Sequence, residues 1–328
     1  MATGVSVSQP PVVLVNTANA LSQKYFAPIL ADAIFKPSPT WWRITRLGKK
    51  LQGGSALVWP VVFQEETVGG AYWGTQILDT TATDSIQPAE LQWKFYNQPI
   101  TVPYTDVLLN RGPGAVIDLI AAKEETAMGS LLQKLSRALW GTSPQNTSLD
   151  LDSIVSAVQT NTNVYATIDR SVALNAFWKP GGTNAGTRTA TGNLILADMQ
   201  NAYGDVIFGN EEVDTIIMTQ LGFNAYWNLL VGNIRYIRDE ETTRMGFKRH
   251  LMFNNAVVLH DQFAASQTAT FLNTKYVYPC FHQDDYFVVD PFIRPSNQRI
   301  LSSFIWVTMN LKVINPRMNQ ALTGISNG

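Results

Sequence analysis

Thirty residues, GPGAVIDLIAAKEETAMGSLLQKLSRALWG (Gly112–Gly141), limit this chain more than any other stretch. Ile117, Ile120, Met128, Leu131, Leu135 and Ala138 recur at helical period and make one apolar stripe. Pro113 suits a first helical turn, and Gly141 followed by Pro144 suits a stop. Asp118 lies near the positive end of the helix dipole, and Lys134 and Arg137 near the negative end. The spacing predicts one helix over 113–140, on the order of 40 Å long at about 1.5 Å per residue. A helix of that length outgrows a small compact domain and suits a spine.

A second constraint precedes it. Val58, Trp59, Val61, Val62 and Phe63 read as a strand between the pairs Gly53-Gly54 and Gly69-Gly70, and ELQWKFYNQPITVP (Glu90–Pro103) reads as its return. In the return, Leu91, Trp93 and Phe95 alternate with polar residues, then Ile100 and Val102 continue on even numbers. That slip of phase predicts a bulge near Tyr96–Gln98. The segment 52–103 is therefore expected to be a long hairpin arm with a polar tip. Two strands alone are marginal in water, so Trp59, Phe63, Trp93 and Phe95 are expected to lie against a neighbouring subunit more than their own.

The remaining chain reads as mixed α and β. KPSPTWWRITRL is expected to connect, TNAGTRTATGN (Thr183–Asn193) to loop, and Leu194–Tyr203 and QLGFNAYWNLL to be helical. EEVDTIIMT, NAVVLHD, ATFLNTKYVYP and three C-terminal runs are expected to be strands. Asp169-Arg170 reads as a local charge pair, and Asn273-Thr274 as cross-strand hydrogen bonding.

Function classes narrow by exclusion. Charged residues make up 15% of the chain, against about 25% in an average soluble protein. A balanced, charge-poor chain needs another way to stay soluble, or partners that cover its surface. No basic run exceeds RITRLGKK, which argues against nucleic-acid binding as a main task. The N-terminus does not read as a signal peptide, and no apolar run reaches membrane-spanning length. One cysteine, Cys280, leaves no intrachain disulfide. A chain made and kept in a cytoplasm is expected. His250, His260 and His282 stand at no ligand spacing, and no nucleophile, base and orienter emerge together. No enzyme activity, cofactor or metal is expected.

The ordered combination of SLDLDSIVSAVQTNTNVYATIDRSVALNAFW, EEVDTIIMTQLGFNAYWNLL, FNNAVVLHD and FLNTKYVYPCFHQDDYFVVDPFIRPSNQRILSSFIWVTMNLKVINPRMNQALTGI resembles major capsid proteins of tailed bacteriophages with the Hong Kong 97-type fold. The resemblance spans nearly the whole chain. It implies an α+β fold with an N-terminal arm (1–39) and a peripheral domain (40–148 and 284–328). That domain carries the extended hairpin loop (52–103) and the spine helix (113–140), and an axial domain covers 149–283. It implies self-assembly through pentamers and hexamers into an icosahedral virion shell, built in the host cytoplasm around loosely held double-stranded DNA. Portal and scaffolding proteins are the implied partners, with a decoration protein as a further one. An encapsulin-type nanocompartment and a soluble α/β enzyme remain the alternative readings.

Overall fold

The computed structural model describes residues 38–66, 68–109, 119–142, 149–182, 186–230 and 251–326. The expected N-terminal arm thus lies almost wholly outside the described residues, as does the first turn of the expected spine helix.

In chain order the elements are α1 (Pro39–Thr45), β1 (Lys49–Leu51), β2 (Ala56–Val62), β3 (Ile86–Gln92), β4 (Lys94–Pro103), α2 (Tyr104–Leu109) and α3 (Leu119–Leu139). Then come β5 (Val164–Tyr165), β6 (Ile168–Asp169), β7 (Arg188–Asn193), α4 (Leu196–Val206), β8 (Thr215–Met218) and α5 (Gln220–Leu229). The chain closes with β9 (Leu251–Phe253), β10 (Ala256–His260), β11 (Ala269–Leu272), β12 (Val277–His282), β13 (Val288–Val289), β14 (Ile300–Val313) and β15 (Gln320–Ser326).

The long helix is present as α3, with Leu131, Leu135 and Leu139 fully buried. It stops at Gly141, whose φ of +66° suits a residue without Cβ. The amides of Gly141 and Thr142 return to the carbonyls of Ala138 and Arg137 at 2.9 and 3.0 Å. The segment read as a connection instead forms α1. Ser38 Oγ accepts the amide of Trp41 and Pro39 occupies the first turn, so the cap and the proline start a helix.

The chain divides into two compact units. Of the described residues, the first comprises 96–109, 119–133 and 287–307, and the second 38–66, 68–95, 134–142, 149–182, 186–230, 251–286 and 308–326. In the first, β13 pairs antiparallel with the start of β14, Val288 opposite Trp306. The strand-like return is reinforced where Trp306 Nε1 and Ser303 Oγ both donate to Asp290, at 2.6 Å each.

The second unit is built on a six-stranded sheet in the order β7-β15-β11-β8-β10-β9. Its middle strands β8 and β11 are buried at every position, as expected for strands covered on both faces. Met199, Ala202, Tyr203 and Val206 of α4, and Tyr226 of α5, pack with Ile216, Met218, Val258 and Phe271 of the sheet. Gly182 packs so tightly that a Cβ there would lie 2.1 Å from the carbonyl oxygen of Asp205.

Several expectations change. Arg188–Asn193, read as loop, is strand β7, because β15 offers it a parallel partner. That same pairing, with β11 on the other side of β15, puts Gln320–Ser326 into the sheet of the expected axial segment rather than with the rest of 284–328. Asn273-Thr274 is not in a strand. Asn273 caps a 3₁₀ turn at Lys275, and Thr274 donates its amide and hydroxyl to the Asp214 carboxylate.

Candidate interaction surface

The hairpin is shorter and more firmly rooted than its sequence pattern suggests. β2 and β3 pair antiparallel from Ala56 opposite Gln92 to Val62 opposite Ile86. The return strand ends at Gln92; after Trp93 the chain leaves β2, and β4 pairs with β14 instead. The phase slip marks this change of partner rather than a bulge at Tyr96–Gln98. Pro60 stands opposite Pro88, which a two-stranded ribbon tolerates because each strand has an outer edge.

Leu57, Trp59, Ala89 and Leu91 form the buried face of the ribbon, while Val58, Val62 and Ile86 are exposed. Alternation puts them on opposite faces. Trp59 donates through Nε1 to the Ile314 carbonyl at 3.3 Å and lies 6.4 Å from the Trp178 ring. Lys312 Nζ sits 4.3 Å above Trp59, and burial holds its pKa below the usual lysine value. Trp93 donates to the Gly54 carbonyl at 2.9 Å and meets His282 edge-on at 5.7 Å. Asn310 fixes the end of β3, donating to the Gln92 carbonyl and to Asp152 at 2.7 Å each.

The four aromatics named from the sequence therefore separate. Trp59 and Trp93 are 6% and 9% exposed, covered by their own subunit, which corrects the expectation that a neighbour would cover them. A ribbon cannot bury these rings alone, but the unit beneath it does. Phe63 is half-buried against Phe177, at 6.1 Å between rings. Phe95 is 76% exposed and remains a candidate contact.

The tip, residues 63–85, is where apolar surface is left open. Trp73 is 88% and Ile77 94% exposed, with Tyr72 and Leu78 exposed beside them. The tip has local order: the Phe63 amide donates to the Ser85 carbonyl, Gln64 to the Asp84 carbonyl at 2.7 Å, and the Gln76 amide to Trp73 at 3.0 Å. Asp79 accepts from the amide and hydroxyl of Thr81, which lowers its pKa and keeps it ionised. Sequence reasoning named the strand aromatics and missed these tip residues. One signal was available: from Leu51 to Trp93 there is no Lys or Arg, while Glu65, Glu66, Asp79, Asp84 and Glu90 all fall there.

Chemistry of other kinds finds little support among the described residues. No group of three or more His, Cys, Asp or Glu could hold a metal, and no helix is long and apolar enough to cross a membrane. His260 ends β10, and His282 accepts the Asp284 amide. The buried carboxylate Asp261 receives Ser38 Oγ, Thr40 Oγ1 at 2.5 Å, Trp140 Nε1 at 3.4 Å and the Phe263 amide at 2.9 Å. It is fully covered, so it joins elements rather than meeting a substrate. Arg170 is not paired with Asp169, whose partner is Ser171. Buried under Tyr165, it donates to the carbonyls of Ser156, Ala157 and Thr160 and to Asn163 Oδ1.

No family model matches the chain, and no curated protein matches it. Solved structures do. The chain is similar to one from the capsid asymmetric unit of cyanophage A-1(L), at 13% identity and a TM-score of 0.69, covering 92% of this chain and 96% of that one. It is similar to the capsid chain of a native GTA particle, at 10% identity and a TM-score of 0.61, over 99% and 100%. It is also similar to the SrpI encapsulin of Synechococcus elongatus, at 11% identity and a TM-score of 0.56, over 95% of each chain. The chain has the α+β fold of phage capsid proteins.

Proposed function

We propose that this chain is the major capsid protein of a tailed phage, assembling through hexamers and pentamers into an icosahedral head shell around double-stranded DNA. The observation that carries the reading is the hairpin tip. Tyr72, Trp73, Ile77 and Leu78 lie open on a segment with little of its own to pack against, and contiguous exposed apolar groups of this kind mark interaction sites. Each copy has one such tip, so a contact in which the tip of one copy meets a different surface of the next is head-to-tail. Contacts of that type give rings where the rotation between copies closes. Phe95 and the exposed Val58, Val62 and Ile86 extend the candidate contact along the ribbon.

In this reading the segment 1–39 is an arm, and portal, scaffolding and decoration proteins are further partners. The inner surface touches packaged DNA without sequence preference. The similarity to an encapsulin favours one second reading, a shell around protein cargo. Negative-stain imaging of the purified protein tests the shell: closed particles support it, and a monomer at all concentrations and salts, in extracts as well as pure, rejects it. Nuclease-resistant DNA inside the particles supports the phage head; protein cargo without DNA supports the nanocompartment.

A further inference from the structure

Away from the hairpin, the second unit holds a cleft that the shell reading does not use. It lies between α5 and the end of the β7–β15 pair, with a volume of about 350 Å³. Small-molecule sites span about 300–1,000 Å³. Strand register builds one wall: Ser326 stands opposite Asn193, and its Oγ donates to Asn193 Oδ1 at 3.2 Å. Helical spacing builds the other. Asn224 and Asn228 are four residues apart on α5 and share a face. One turn earlier, Gln220 Nε2 donates to Asn224 Oδ1 at 2.7 Å. These two bonds fix how the Asn193 and Asn224 amides are turned, and each leaves an NH2 group without a partner among the described residues. The Asn228 side chain makes no hydrogen bond there, so its carbonyl oxygen is open as well. Leu194, Ala225 and Leu229 complete the lining. Leu194 is 3% exposed and Ala225 packs on the sheet core, so the apolar side is fixed in place.

No lining residue carries a charge. A carboxylate or phosphate would find no cation here, and a cation no carboxylate. A wholly apolar ligand would cover the amides without pairing them. An amide offers a donor and an acceptor side by side, which neighbouring hydroxyls match, and the C–H face of a sugar ring matches leucine and alanine. We infer that this cleft binds a neutral saccharide, held by Asn193, Asn224 and Asn228 against Leu194 and Leu229. The site is complete within one copy of the chain, so the inference stands apart from the shell reading. A polypeptide segment could pair with the amides but lacks a row of adjacent hydroxyls.

The test is saturation-transfer NMR on the full chain, as particles or as unassembled subunits. The probes are glucose, galactose, mannose, N-acetylglucosamine and their neutral disaccharides, each at up to about 10 mM. Glucuronate, glucosamine and a neutral tripeptide amide are the controls. At least one neutral sugar should receive saturation, and the controls should not. Asn224→Ala with Asn228→Ala should weaken that sugar roughly tenfold or more. Circular dichroism and the thermal melt should not change, because both side chains are exposed. Asn228→Asp keeps the shape of the side chain and removes its donor, so it should weaken the sugar in the same direction. Saturation of no neutral sugar overturns the inference. Equal saturation in wild type and both variants also overturns it, since the sugar then binds elsewhere. Glucuronate or glucosamine bound as well as the neutral sugars overturns the ligand class. Saturation of the tripeptide alone overturns it in favour of a polypeptide segment.

Discussion

Asp261 joins three parts of one unit through a single carboxylate: the start of α1, the end of α3 and the turn after β10. Asp261→Ala strips the acceptor from several buried donors at once, and each unsatisfied buried group costs about 1–3 kcal/mol. A loss of about 3 kcal/mol or more is expected in urea unfolding of unassembled subunits, and a smaller loss for Asp261→Asn. Equal stability of Asp261→Ala and wild type would show that solvent reaches the cluster. Cys280 gives a pH signature. Burial pushes its thiol from 9.0 up to about 11. Between those values the unfolded chain releases the proton and the folded chain keeps it. The folded state then binds more protons, so stability falls as pH rises through the window. Relative to Cys280→Ala, the wild type should lose up to roughly 2 kcal/mol between pH 8 and 11. Parallel stability curves would mean the thiol is open to water. Tyrosines titrating in the same range cancel in this difference.

Elements show where sequence reading succeeds and where it stops. Leu131 is fully buried in the middle of α3, so Leu131→Pro should cost about 3 kcal/mol or more and remove soluble protein. Normal particles from this variant would contradict a continuous helix. That helix was legible because its signal is local: a 3.6-residue stripe, a charge bias and a glycine stop. The hairpin's first strand and the buried runs of β8 and β10 were legible for the same reason. What was hidden depends on partners distant in sequence. Nothing in RTATGN announces a strand; β15, more than a hundred residues later, makes it one. The pattern ELQWKFYNQP runs on unbroken in composition while its partner changes from β2 to β14 at Trp93. Arg170 looked like half of a local charge pair because Asp169 adjoins it, yet it is buried beneath Tyr165. α1 is the exception, since Ser38 and Pro39 were a readable cap masked by loop-like composition. At the candidate surface, the strand tryptophans drew attention by size, while the open groups lie in the tip. Trp59→Ala should therefore lower subunit stability by about 3–5 kcal/mol, as for a core tryptophan, measured by thermal melts. Phe95→Ala should leave the melt within about 0.5 kcal/mol.

At the scale of the whole molecule, the proposed shell makes the tip the part that separates a stable subunit from an assembling one. Its apolar groups are covered by nothing among the described residues, and the chain is poor in the charges that keep such surfaces apart. Trp73→Ala with Ile77→Ala removes its two most exposed large side chains. The fold of one subunit should be untouched, because neither side chain is buried within it. Association should suffer: truncating an interface anchor costs about 2 kcal/mol or more, and symmetry repeats the loss at every equivalent contact. Circular dichroism and the thermal melt are expected to match wild type, while sedimentation shows capsomers or monomers in place of shells. The pairing with Trp59→Ala makes the result diagnostic. That variant should lose stability first and assembly as a consequence; the tip variant should lose assembly alone. If the tip variant unfolds, the tip packs on its own subunit. If it forms shells with unchanged resistance to denaturant, the open apolar groups do not hold neighbours, and the contact that closes the shell lies elsewhere on the chain.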